Sequence, residues 1–412
     1  MSKVPGKPFF NRRNFIKTTG LGIGAGVLGL QQVGCSDGKK EKKSTIQGFE
    51  EAPENRDVSK GWEPVSDRKI RVGIVGYGVC RFGAAFDFQH HPNVEVVAVS
   101  DLFPDRCAKL AEETGCKKTY PSLEELVKDD SIEAVFVATD APSHARHCME
   151  VLKHGKHVAS AVPAVFGSLE DAEALYAAVK QSGLKYMMFE TSCFRENLYA
   201  MRRIYEAGGF GQIVYAEGEY WHYSENGIAS YKNWRHGMPP QWYPTHSDAY
   251  YVGVTGGSFT EVSCVGMPSA MERYQKGKNA YNNPFATEIS HYRTSEGGMA
   301  RMGRSADTMG HGYGAETGRV RGTRGSFYEK YEGVEKELPD LKRPPLPPGV
   351  SPGGHGGSHG YLTDEFVTAI LRDRKPLVDI ATALNMTVGG IVAHQSALNN
   401  GEWMKIPQYR FV

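Results

Sequence analysis

The sequence predicts an α/β protein: a doubly wound parallel sheet, then an α+β domain with a largely antiparallel sheet. Short β-branched runs alternate with helical stretches between residues 68 and 190, and longer strands with two-residue alternation succeed one another after Glu190. A glycine pair, Gly76 and Gly78, sits directly behind the first strand. At 412 residues the chain is long enough for two domains, each with its own core.

In order along the chain, strands are predicted at 70–75, 94–99, 134–138, 157–159 and 186–189, with helices at 83–90, 104–113, 143–154 and from Ser168 onward. Ser122 and Glu125 have capping-box spacing and mark another helix start. Strands this continuously apolar need helices on both faces, hence the parallel sheet over 68–190. Within 191–412, 213–223 is the clearest strand, followed by 259–265, 286–292, 299–304 and 325–331 without helices between them. A Pro/Gly-rich connection, 339–360, leads to helices at 361–371 and 380–398, which are expected to pack on one of the two domains.

Ahead of this lies Arg12-Arg13 with Phe15, then a glycine-rich apolar run, 18–30, too short to span a bilayer. Residues 1–35 are therefore expected to be a twin-arginine-type export signal, with the folded part periplasmic. Cys35 is a candidate for lipid attachment and so for a membrane anchor, although Gln32 stands where such sites usually have Leu. The charged segment 36–67 reads as a disordered tether.

Lysine plus arginine number 48 and aspartate plus glutamate 47, so no long-range field favours nucleic acid, and the expected partner is a small molecule. The seven cysteines are scattered with no Cys-x-x-Cys pair, and no metal is expected.

Gly76-Tyr77-Gly78 lets the backbone turn sharply and approach a pyrophosphate. Val79, Cys80 and Arg81 complete this turn and are expected cofactor contacts; Arg81 occupies the place of the usual third glycine and Gly83 follows two residues late, so helix packing should differ here. Asp101 closes the second strand, where its carboxylate can accept ribose hydroxyls and repel a 2′-phosphate, which favours NAD over NADP. Thr139 and His144, at the carboxyl edge of the third strand, are further cofactor candidates, although Ser143 is also a helix cap and His144 could simply occupy the first turn.

The Gly76-Tyr77-Gly78 turn, Asp101, the Ala138-Thr139 loop with His144, Gly155-Lys156-His157-Val158 and Gly322-Thr323-Arg324-Gly325 together resemble the glucose-fructose oxidoreductase and inositol dehydrogenase family (Gfo/Idh/MocA) from about Lys69 onward. The resemblance implies a Rossmann domain, an NAD-dependent oxidoreductase acting on a secondary hydroxyl of a sugar or glycoside, and a homo-oligomer. That family usually carries Glu-Lys-Pro after the fourth strand, its lysine reaching the reacting hydroxyl; here Ala161-Val162-Pro163 stands instead. Val162 and Pro163 remain expected cofactor contacts. Val162-Pro163-Ala164, Met187-Met188-Phe189-Glu190 and Trp242-Tyr243-Pro244-Thr245-His246 are similar to segments of glycoside hydrolase family 109, which binds NAD, breaks glycosidic bonds by transient oxidation and also has valine at this place. That branch normally keeps a glutamate where Ala161 stands. A redox-neutral NAD-dependent glycosidase or lyase is thus the alternative activity, and a non-catalytic NAD- and sugar-binding relative a third.

Oxidising a secondary alcohol needs a base on its hydroxyl. His246 matches the family's active-site histidine, and imidazole titrates in the useful range; a core histidine is the competing reading. Tyr243, three residues earlier near an expected helix start, is expected to face the same pocket. Glu190 closes the last strand of the first sheet and either orients nicotinamide or substrate, or caps a helix. Tyr220, His222, Trp234 and Arg235 are the expected substrate contacts, since flat rings stack on sugar C–H faces. At most half of 220–223 can line one pocket. His355 and His359, in a glycine-rich stretch, are expected to be solvated, and the 310–314 loop to close over the site. An exported protein has no evident NAD pool, so its cofactor is expected to stay bound and be recycled within each cycle, by a second sugar or keto compound or by redox-neutral bond cleavage.

Overall fold

The computed structural model describes residues 58–78, 80–309 and 316–410. The export signal, Cys35, the tether up to residue 57, Val79 and the 310–314 loop lie outside the described residues.

The first sheet arises from runs whose side chains are apolar on both faces. Its elements are β1 (Ile70–Val75), α1 (Phe82–Ala85), β2 (Val94–Ser100), α2 (Pro104–Thr114), β3 (Thr119–Tyr120), α3 (Leu123–Leu126), β4 (Ala134–Val137), α4 (His144–Lys153), β5 (His157–Ser160), α5 (Leu169–Ser182) and β6 (Tyr186–Met188). The strands are all parallel in the order β3-β2-β1-β4-β5-β6, so the chain reverses its winding between β1 and β4. In such sheets the crevice at that reversal is where ligands bind. The caps follow the sequence: the Ser122 hydroxyl accepts from Glu125 N–H, and that of Ser168 from Asp171 N–H.

The expected helix at 83–90 is a correction. Asp87 adopts a left-handed φ of 66°, which breaks the segment into one turn of α-helix and a 3₁₀ turn, Phe88–His90.

The second sheet is mixed. After α6 (Glu196–Glu206) come β7 (Ile213–Trp221), α7 (Thr245–Thr255), β8 (Phe259–Pro268), β9 (Phe285–Thr294), β10 (Met299–Ser305), β11 (Glu316–Gly322), β12 (Gly325–Tyr328), β13 (Lys330–Gly333), a single turn α8 (Gly354–Gly357), α9 (His359–Leu371), α10 (Ile380–Leu398) and β14 (Met404–Lys405). The order is β13-β12-β11-β7-β10-β9-β8-β14, antiparallel except where β10 runs parallel to β7. The sequence pattern missed β11 because Val320 is its one large apolar residue, with Glu316 and Gly318 at the other positions of that face. Charge holds it instead: Glu217 on β7 receives Arg319 from one side and Arg301 of β10 from the other.

Two helices back the second sheet, and one of them also reaches the first, within one compact unit. Helix α7, buried from Thr245 to Val254, lies on β7 and β11. Helix α10, capped by the Asp379 side chain on Thr382 N–H, packs on α7 and β8 and also reaches α5 and β6, as its apolar length suggests. Among the described residues no helix is long and apolar enough to cross a membrane.

At Gly390 the helix axis comes so close to the entry of α7 that an added Cβ would lie 2.0 Å from the Gln241 carbonyl oxygen and 2.6 Å from Pro244 Cγ. Gly390→Ala is therefore expected to cost about 3 kcal/mol in chemical denaturation, at the upper end of overpacking penalties. An unchanged midpoint would show that α10 and α7 can slide apart.

Candidate active site

At the carboxyl edge between β1 and β4 lies a cleft of about 440 Å³, lined by Gly76, Gly78, Asp101, Thr139, Val162 and Trp234, among others. Gly76 has φ +98°, and a Cβ there would sit 2.4 Å from the Ala138 carbonyl oxygen, so only glycine permits this cradle. Asp101 first clamps the turn: Oδ2 accepts from Tyr77 N–H at 2.8 Å and Oδ1 from Phe103 N–H at 2.9 Å. Its carboxylate also lines the cleft, with lone pairs left for hydroxyls.

Gly83 does the work of the missing third glycine, since a Cβ on it would lie 2.5 Å from the Gly76 carbonyl oxygen and 3.1 Å from Ile74. Arg81 instead takes a left-handed φ of 54° and sends its side chain, 63% exposed, toward Glu113. It is not among the residues lining the cleft, which corrects the expectation that it binds the cofactor.

His144 lines the cleft but is fully buried, with Nδ1 2.8 Å from the Pro163 carbonyl and Nε2 3.2 Å from that of Thr139. Burial lowers its pKa, and the neutral ring gives its proton to the shorter contact. It therefore braces the Val162-Pro163 turn. Pro163 takes part through its carbonyl and does not line the cleft. The Thr139 hydroxyl is bonded to His147 Nδ1 at 2.8 Å.

Cys80, Val162 and Arg235 line both this cleft and a smaller inner cavity of about 30 Å³, whose walls include Tyr220, His222, Tyr243, His246 and His355. Thus Tyr220 of β7 and His222, just past its end, stand on one side, while Trp221, on the opposite face, donates to Glu219 at 2.7 Å.

His246 sits in the first turn of α7, and its Nδ1–H donates to Glu190 Oε1 at 2.7 Å. Glu190 has no solvent exposure and also accepts from Ser192 N–H at 2.9 Å. The capping reading of Glu190 matches the structure, since it caps the turn after β6, and its other contact is the His246 ring. It does not line the cofactor cleft, which corrects that assignment; it acts through His246. Burial disfavours charge on His246, but the carboxylates of Glu190 and Glu316 outweigh it, and the pKa is raised. Burial likewise disfavours charge on Glu190, and His246 outweighs that, leaving its pKa lowered. Both shifts favour the charged pair; when the ring gives up a proton, Glu190 keeps the remaining one on Nδ1 and Nε2 becomes the acceptor.

The Tyr243 and Tyr220 rings lie 5.7 and 4.6 Å from His246. Burial raises the Tyr243 pKa despite Arg235 nearby, so its phenol remains a donor. Arg235 lies over Trp234 at 4.2 Å.

His355 and His359 are the largest correction. Left-handed backbone at His355, Gly356 and Gly357 turns the stretch inward, and both histidines are buried. The His359 Nδ1 is 3.0 Å from the Ala85 carbonyl, which can only accept, so that nitrogen carries the proton and Gly354 N–H, 3.3 Å from it, lies outside the bond. His359 Nε2 then accepts from His355 Nδ1–H at 2.8 Å. The His355 ring stacks toward His246 at 6.3 Å. Sequence reasoning also missed Arg195, whose Nη2 meets Glu316 Oε2 at 2.7 Å behind His246, and the buried Arg304. No group of three or more His, Cys, Asp or Glu able to hold a metal occurs among the described residues.

Residues 70–190 match the model of an oxidoreductase family with an NAD-binding Rossmann fold, Gfo/Idh/MocA. This segment is similar to the NAD-binding domain of that family. NAD is its cofactor, and the chain fits that role: the glycine cradle is open only for want of a Cβ at Gly76, and the Asp101 carboxylate waits at the far strand. Over 176 residues the chain is 30% identical to glycosyl hydrolase family 109 protein 1 of Bacteroides fragilis, covering 40% of this chain and 38% of that relative. Over 388 residues it is 22% identical to a glycosyl hydrolase family 109 protein of Solibacter usitatus, covering 82% and 88%. A levoglucosan dehydrogenase solved with NADH superimposes with a TM-score of 0.68 at 18% identity, covering 83% of this chain and all of that one, and so shares the fold.

Proposed function

We propose that the chain is an NAD-dependent oxidoreductase acting on a secondary hydroxyl of a sugar or glycoside. The observation that carries this reading is the Glu190–His246 pair at 2.7 Å, placed on an inner cavity that shares Cys80 and Val162 with the cofactor cleft. In this reading His246 Nε2 takes the hydroxyl proton, and Glu190 holds the ring and balances the imidazolium that results. Tyr243 donates to the substrate oxygen, and Arg235 binds substrate beside it. Bound NAD supplies the acceptor for the hydride. The Arg12-Arg13 segment favours export with NAD already in place, so that the cofactor is recycled within the cycle.

A redox-neutral glycosidase is the second reading, favoured by Val162 where a lysine would otherwise stand and by the names of the relatives. Mass spectrometry of the small molecules released on denaturation is expected to find NAD at about one per chain. Incubation with sugars and aryl glycosides then separates the readings: NADH formation supports the oxidoreductase, while aglycone release without net NADH supports the glycosidase. A chain that is empty and also refuses added NAD defeats both.

A further inference from the structure

One wall of the cofactor cleft comes from outside the first sheet. In the segment between β7 and α7, Ala229, Ser230, Tyr231, Lys232, Trp234 and Arg235 all line the cleft. Trp234 does not line the inner cavity, so it stands on the cofactor's side of the site rather than the substrate's. The segment is anchored at both ends. Upstream, Arg273, 5% exposed, donates to the carbonyls of Ser224 and Glu225. Downstream, the Tyr281 hydroxyl donates to the Trp234 carbonyl at 2.6 Å, and the Trp234 ring meets Phe166 edge-on at 5.3 Å. Between these anchors no hydrogen bond joins 229–235 to residues of the first sheet's half, among the described residues. What bridges the cleft is a ring contact, Tyr231 edge-on to Phe103 at 6.1 Å.

The place of that contact follows from Asp101. A carboxylate at the end of β2 marks the adenosine ribose, and the adenine lies beyond it. There Leu102 is 58% and Phe103 39% exposed, apolar surface that a purine covers, with the Arg106 guanidinium 4.4 Å over the Phe103 ring. At the other end Arg235 is shared with the inner cavity, where the reacting ring of the cofactor meets the substrate. The segment therefore runs along the cleft from its reacting end to its adenosine end. Charge fits the same occupant: Arg146 is paired with Glu124, whereas Arg106, Lys232 and Arg235 have no ion pair among the described residues, and the NAD diphosphate is the anion they lack. Lys232 and Asn233 adopt left-handed φ of 48° and 56°, a conformation that in residues other than glycine is held only by its surroundings. Opening the segment releases that strain.

We infer that 229–235 is a strap that retains NAD: with Tyr231 against Phe103 the adenosine end is walled in, and the cofactor enters or leaves only when the two rings part. This rests on the reading in which the cofactor is recycled within the cycle, and names the part of the chain that keeps it there.

The test follows exchange. The full chain, purified with its NAD, is mixed with a large excess of isotope-labelled NAD, and loss of the unlabelled cofactor is measured by mass spectrometry. The wild type is expected to hold its NAD for hours. Y231A should speed release about tenfold, the order of one aromatic contact, while Y231F, which keeps the ring, should stay within about twofold of the wild type. F103A should also speed release, and the double variant should be no more than about twofold faster than the faster single one, since the rings make one contact. In Y231A the Kd for NAD, titrated into stripped protein, should stay within about threefold, because a gate passed in both directions moves entry and exit alike. An unchanged Tm reports that each variant folds. Slow release that Y231A leaves unaltered would overturn the strap and leave recycling standing. Faster release with a Kd weakened in proportion would also overturn it, since Tyr231 would then be a contact and not a gate. Release within seconds from the wild type, faster still in Y231A, would keep the strap and remove the recycling reading. Equally fast release from both would remove both.

Discussion

His246→Ala is expected to lower kcat/KM by about 10²- to 10⁴-fold, the usual weight of a general base, while NAD affinity stays within about twofold. The separation follows from placement: His246 lines the inner cavity and not the cofactor cleft. The companion variant, Glu190→Gln, tests how the base is tuned. The active form of His246 is unprotonated, so kcat/KM should rise with pH through its pKa. That pKa lies above the ordinary histidine value because Glu190 and Glu316 outweigh burial. Removing the Glu190 charge lets burial prevail, so the rising limb should move to lower pH. The plateau should also fall, because the imidazolium formed on proton transfer then faces a neutral amide in place of a carboxylate. A pH–rate profile of both proteins checks this, and a limb that stays in place would remove Glu190 from the proton chemistry.

Much of this pair was readable before any coordinates. His246 and Tyr243 stood in a recognisable segment, and Glu190 ended a strand at the edge where ligands gather. That Glu190 bonds His246 was not readable, because the two are 56 residues apart and their contact depends on α7 packing against the 3₁₀ turn Thr191–Phe194 that follows β6. The glycine-rich 353–360 stretch misled for a related reason. Composition marks such a segment as surface loop, yet its left-handed residues fold it against Ala85 and Phe86, with the His359 ring 4.4 Å from that of Phe86. Arg304 carried no signal, since an arginine at the end of a strand reads as exposed until its neighbours are known. By contrast the parallel strands announced themselves through continuous apolar runs, and β11 failed because Val320 is its one large apolar residue and cross-strand ion pairs hold it. Local periodicity was legible; burial of charge was a tertiary property.

Gly76→Ala is expected to weaken NAD binding by at least about 100-fold, and Gly78→Ala by only about five- to tenfold, although the two glycines share one turn. Both have positive φ, which costs an alanine roughly 1–2 kcal/mol. They differ in surroundings. A Cβ at Gly78 meets nothing within 4 Å, whereas at Gly76 it meets the Ala138 carbonyl oxygen at 2.4 Å, its carbon at 2.6 Å and Thr139 N at 3.0 Å, all backbone. Neither side can yield cheaply: Gly76 N–H is bonded to Ser100 at 2.8 Å and Ala138 N–H to Val75 at 2.7 Å, so relief requires β1 and β4 to part at the crevice. That movement would also carry off the Thr139 edge and the Asp101 clamp on which the cleft depends. Calorimetric titration of NAD into both variants, with Tm measured alongside to separate unfolding from lost affinity, decides the matter. Equal affinities would mean that the pyrophosphate does not lie against the Gly76 cradle, and the cofactor would have to be sought elsewhere along the cleft.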